Sequence, residues 1–319
     1  MKLARSIAAI AIFSFTGTIL NAQINEHPFD LPKYKDVVDM KNRQLIVLVN
    51  PPDPNVVNKY DKKGKMDMAQ EYNQIIGNYN ENMKYLVQKF WTFNSQEVLY
   101  MTWDDMEKML GDKSKRDKYY IMFCFSEENH KGLDWRLDKN GEEIVGTHTF
   151  FGVCFPDDNP LLHFHFLFSG LIPTVVDLTY LISTTNYNFN YVLNHKDITS
   201  KKPMVDENAH LLASKTLLLL EKDVSKKVIP DIHTYYPCNF KLVGDSEMMQ
   251  AVAGGDSTCA YVVREGFADP MNWIVNCKDG AVLGYSEKES GGGFNAVDMG
   301  YYKDFFLDIA DFCGAGLKK

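Results

Sequence analysis

The chain has 319 residues, 45% hydrophobic, 13% aromatic and 24% charged, the composition of a globular protein able to bury sizeable cores. Its net charge is −8, and its basic pairs at Lys62-Lys63, Lys201-Lys202 and Lys226-Lys227 are short. A chain this acidic, with no concentrated Lys/Arg face, is excluded as a nucleic-acid or anionic-lipid binder.

The N-terminus reads as an export signal. Lys2 and Arg5 precede an apolar run from Ile7 to Leu20, and Asn21-Ala22-Gln23 offers a cleavage site after Ala22. Ser6, Ser14, Thr16, Gly17 and Thr18 interrupt that run, which is too short for a spanning helix. Residues 1–22 are therefore expected to be removed, taking the net charge to −10 and leaving a periplasmic or secreted chain with no membrane span. The roughly 300 residues that remain argue for two domains, because single cores stop growing near that size.

Residues 23–43, with Pro28, Pro32 and many charges, read as an extended lead-in. Leu45-Ile46-Val47-Leu48-Val49 is a buried strand stopped by Asn50-Pro51-Pro52, and after a polar loop the spacing from Met66 to Trp91 predicts a long amphipathic helix. A strand at 98–101 and a short helix opened by Asp104-Asp105 follow, then a strand from Tyr119 to Phe125. Asp138-Lys139-Asn140-Gly141 is a turn signal. Residues 147–155 and 162–168 make a hairpin around Pro156-Asp157-Asp158-Asn159-Pro160, and 173–193 a helix.

The same order recurs beyond a polar linker at 195–210. Strands are expected at 216–220, 240–243 and 260–263, helices at 225–235 and from Asp245-Ser246 to Ala253, a hairpin at 273–285 and a closing helix at 299–313. The fold class expected is α/β: two tandem three-layer-like units, each β-α-β-α-β-β-β-α with a mixed, mainly parallel sheet. The units span 44–194 and 211–319. This order is similar to that of small three-layer modules of the anticodon-binding-like kind, a resemblance of topology that implies no activity.

Six cysteines stand at 124, 154, 238, 259, 277 and 313, without a CxxC. Disulfides suit an exported chain, and buried free thiols suit the apolar strands around Cys124 and Cys154 equally well. If the first hairpin pairs Phe155 with Leu162, Cys154 opposes His163 and Gly152 opposes His165. Two imidazoles and a thiol on one face are candidate zinc or copper ligands, set against the plainer reading of a half-polar edge hairpin. Glu127, Glu128 and His130 form a second candidate cluster, because they follow a strand end where α/β ligand sites arise.

Gly291-Gly292-Gly293-Phe294-Asn295-Ala296 has the glycine spacing of a dinucleotide fingerprint but no following strand, and reads as a glycine loop. The acidic pairs Asp104-Asp105, Glu127-Glu128, Glu142-Glu143 and Asp157-Asp158 sit at caps or in loops, as solvated carboxylates do. No G-x-S-x-G, H-E-x-x-H, P-loop or EF-hand pattern occurs. No cofactor is expected. The reading is an exported, non-catalytic binding or assembly scaffold whose partner is another envelope protein. The alternatives are a hydrolase or metal-dependent enzyme using the hairpin histidines, and a small-ligand receptor with an interdomain cleft.

Overall fold

The computed structural model describes residues 29–126, 131–133, 135, 148–157, 165–169, 172–265, 271–287, 301 and 303–317. The signal segment, Glu127, Glu128, His130, Glu142, Glu143, Asp158, His163, the turn at 138–141 and the glycine loop at 291–296 lie outside the described residues.

The first half runs α1 (Tyr34–Lys41), β1 (Gln44–Leu48), α2 (Pro54–Lys62), α3 (Met66–Phe90), β2 (Leu99–Met101), α4 (Trp103–Met109), β3 (Tyr119–Ser126), β4 (His148–Cys154), β5 (His165–Ser169) and α5 (Val175–Asn194). After α6 (Lys201–Asn208), the second half runs β6 (Thr216–Leu220), α7 (Ile232–Tyr235), β7 (Phe240–Val243), α8 (Asp245–Gly254), β8 (Cys259–Glu265), β9 (Met271–Asn276), β10 (Val282–Ser286) and α9 (Lys303–Leu317). The chain is α/β, with two mixed sheets ordered β2-β1-β3-β4-β5 and β7-β6-β8-β9-β10. In the first, β1 is parallel to β2 and β3, and β4 is antiparallel to β3 and β5. In the second, β6 is parallel to β7 and β8, and β9 is antiparallel to β8 and β10.

Several elements differ from the sequence expectations. The lead-in is extended only at its start: Tyr34–Lys41 is helical and buries Val37 and Met40. The loop after β1 holds α2, which starts because the Asp53 side chain accepts the Asn55 N–H and Pro54 occupies the first turn, where it loses no hydrogen bond. The cap of α4 is Thr102, which accepts from Asp105, and not an aspartate. Gly244 precedes α8 without a side-chain cap, while Asp245 pairs with Lys222. The helix expected over 225–235 is reduced to short turns and α7, since Pro230 supplies no N–H for a longer ladder. The expected linker at 195–210 contains α6, capped by Ser200.

Strand alternation sends the two faces of each sheet into different cores. Ile46, Leu48, Ile121, Phe123, Phe125, Phe150 and Cys154 bury against Met106 of α4 and Leu110 just past its end. The opposite face, with Leu45, Val47, Tyr120, Met122 and Phe151, joins α3, α5 and α8 and the β6, β8 and β9 side chains Leu218, Tyr261, Trp273 and Val275 in one continuous cluster. The outer face of the second sheet packs Leu217, Leu219, Ala260 and Ile274 on Ile232 of α7 and Phe305, Phe306 and Ile309 of α9. A shared apolar core therefore occupies the space between the sheets, with α5 packed on both α3 and α8. The lead-in crosses that seam: Phe29 sits edge-on to Trp273 and Tyr285, with centroids at 5.2 and 4.7 Å.

The β9–β10 turn closes the contact. Gly280, at φ +78°, brings its main chain against Ser183 and Thr184 of α5, and Thr184 Oγ1 donates to the Gly280 carbonyl at 3.0 Å. A disulfide joins Cys238 to Cys313, tying α9 to the chain ahead of β7, and Cys124, Cys154, Cys259 and Cys277 are in no disulfide. No described helix is long and apolar enough to cross a membrane.

Candidate functional site

The connection from β1 runs to β2 on one side and the connection from β3 runs to β4 on the other, so the chain switches direction between the neighbouring strands β1 and β3. The crevice outside the carboxyl ends of such strands is where ligands bind. A cavity of about 270 Å³ lies there, lined by Asn50 to Pro54 after β1, Lys131, Gly132, Leu133 and Trp135 after β3, and Tyr72 and Ile76 of α3. A larger cavity of about 560 Å³ lies under the lead-in, between Tyr34, Val153, Phe189 and Ile198. The register sets Val153 opposite Met122, four residues short of the carboxyl end of β3.

Asn50 organises the smaller cavity. Its main-chain N–H donates to Asn80 Oδ1 at 2.9 Å, and its carbonyl accepts from Asn80 Nδ2 at 2.7 Å, so α3 clasps the end of β1. Its side-chain Oδ1 accepts the Leu133 N–H at 3.1 Å, linking the two strand ends. A Cβ at 132 would collide with Asn50 Oδ1, so a larger residue there would have to displace that amide from its bond to Leu133. The Ser126 N–H donates to the Gly132 carbonyl at 3.0 Å, so the chain turns back on the end of β3.

The rest of the wall is aromatic and proline-rich. The Asp53 N–H donates to the Tyr72 hydroxyl at 2.8 Å, and Trp135 Nε1 donates to the Tyr60 hydroxyl at 3.2 Å. The Tyr72 and Trp135 rings are tilted by 55° with centroids 5.2 Å apart. Burial raises the Tyr72 pKa above its ordinary value, so this hydroxyl keeps its proton. Lys131 pairs with Glu107 at 3.1 Å and lies over the Trp103 ring. The Trp103 indole and then the Lys131 ammonium hold the Glu107 carboxyl below its usual value.

The residues singled out in the sequence fall differently. Glu127, Glu128 and His130 lie outside the described residues, in the chain between Ser126 and Lys131. Cys154 is fully buried in the cluster under α4. His165 is described as backbone only, and the register sets it opposite Gly152. Among the described residues no three His, Cys, Asp or Glu side chains come together as metal ligands. Deeper in the first half, burial pushes the Cys124 thiol up to about 12, which leaves it unreactive.

Asn50, Tyr72 and Trp135 were not selected from sequence. The signal that would have found them is the rule that flagged 127–130, applied to the end of β1 as well as β3. Compared with protein-family models, with curated proteins and with solved structures, the chain matches none.

Proposed function

We propose that this chain is an exported, non-catalytic binding scaffold of the bacterial cell envelope, made of two tandem α/β units of one topology, the first of which carries the binding site. The tandem reading is supported by the two sheets, which share one strand order and reverse only their fourth strand. Export is supported by the signal-like first 22 residues, and an oxidising destination by the Cys238–Cys313 disulfide.

The observation that carries the binding reading is the state of the cavity's polar groups. Asn50 and Tyr72 are each committed to static hydrogen bonds that shape the wall, around an aromatic floor. That is preorganisation for recognition, not a pair of groups poised to exchange a proton. The site lies within the first unit, because the seam between the units is filled by their common core.

The test combines location with binding. The chain is expected in the envelope fraction with Gln23 as its first residue, and an envelope extract raises its Tm by mass action. The rise disappears in Trp135→Ala. Retention in the cytoplasm, or a Tm indifferent to the extract, overturns the reading. The rival, a metal-dependent or hydrolytic enzyme at Cys154, His163 and His165, is favoured by the Gly152–His165 register alone. Stoichiometric zinc that is lost on replacing both histidines by alanine would establish it instead.

A further inference from the structure

We infer that the cavity beside Asn50 and Trp135 takes a neutral pyranose ring of an envelope glycan, an assignment that rests on the binding reading above. Three classes of ligand are separated by what the wall offers.

An extended peptide binds by main-chain hydrogen bonds. Along the β1 side of the wall donors are scarce: Pro51, Pro52 and Pro54 have no N–H, and those of Asn50 and Asp53 go to Asn80 and Tyr72, as that of Leu133 opposite goes to Asn50. An anionic ligand needs an uncompensated cation. Lys131 is engaged by Glu107, Asp53 adds a carboxylate to the lining, and the chain as a whole is acidic.

A neutral, polyhydroxylated ring has what remains to it. The apolar C–H face of a pyranose fits an aromatic surface, and half-buried Trp135 provides one, fixed in place by its hydrogen bond to Tyr60 and by the buried Tyr72 ring packed against it. The ring's hydroxyl edge needs both donors and acceptors. The Asn50 amide nitrogen and the Tyr72 hydroxyl proton donate. The Asp53 oxygen not used in capping Asn55 accepts. A cavity of about 270 Å³ has room for such a ring.

The test is saturation-transfer NMR on the chain from Gln23 onward, with uncharged mono- and oligosaccharides of glucose, mannose, galactose and N-acetylglucosamine. Ring C–H protons of at least one series are expected to receive saturation. Its affinity falls roughly tenfold in Trp135→Ala, as for loss of an aromatic anchor, and less in Trp135→Phe, which keeps a ring. Binding that Trp135→Ala leaves unchanged overturns the assignment. So does silence of the whole panel while envelope extract still stabilises the chain, an outcome that leaves the binding reading standing. Silence of both removes the two together.

Discussion

The contact of the β9–β10 turn with α5 is the sharpest test of how the two halves pack. In Gly280→Ala two costs add. The position is held at φ +78°, where a Cβ costs roughly 1–2 kcal/mol. That Cβ would also fall on the main chain of Ser183 and Thr184 and 2.5 Å from Ser183 Oγ, none of it the free end of a flexible side chain. Relieving such an overlap shifts α5 against both sheets, at roughly 1–3 kcal/mol. The expected total is about 2–5 kcal/mol. Gly64→Ala is the control: its φ is +69° and nothing lies within 4 Å of the added carbon, so it carries the backbone cost alone. With a urea slope of about 3 kcal/mol per molar, Gly280→Ala lowers the unfolding midpoint by roughly 1 M and Gly64→Ala by roughly 0.3–0.7 M. Equal midpoints for the two variants would refute the close approach of the turn to α5, and with it the stacking described.

Two further outcomes follow from the same coordinates. Alkylation in denaturant without reductant should find four reactive thiols, at Cys124, Cys154, Cys259 and Cys277, and reduction should lower stability by about 4 kcal/mol for a loop closed across 75 residues; six thiols refute the pairing. Burial raises the Asp177 pKa above 3.8 although Thr174 donates to its carboxylate, so its folded form favours the proton. Stability from that proton is complete below the unfolded value and is lost as pH rises through the raised folded value. Asp177→Asn, which can still accept from Thr174, should therefore gain on the parent between pH 4 and 7 in thermal melts, and a constant difference across that range would contradict the assignment.

The long periodic elements were legible because each follows from a repeating pattern: α3 from apolar spacing, β1 and β6 from unbroken apolar runs. What escaped was structure set by single residues or by distant partners. Within α1 only Val37 and Met40 are buried, too few for a helical period to register. Pro51, Pro52 and Pro54 read as loop, yet Pro54 after Asp53 starts a helix, since the first turn needs no N–H from it. The candidate site was harder still. Asn50 meets Asn80 across 30 residues and Leu133 across 83, and no local pattern encodes either contact. Position 132 illustrates the limit: a side chain there would press on the Asn50 amide, a cause invisible without the fold.

The arrangement of faces also bears on why such a stack would end at two sheets. The face of the first sheet that carries α3 and α5 meets the face of the second that carries α8, so unlike faces are in contact. Contacts of unlike faces do not close on themselves and can in principle propagate from copy to copy. The two outward helices oppose this. On α4, Asp104, Asp105 and Glu107 point to solvent with Lys108, and on α9, Asp304 and Asp311 are exposed with Lys303. Bringing the α4 side of one chain onto the α9 side of another would set acidic surface against acidic surface and strand those carboxylates away from water. That cost is absent at the inner seam, where Phe29, Leu181 and Trp273 are buried instead.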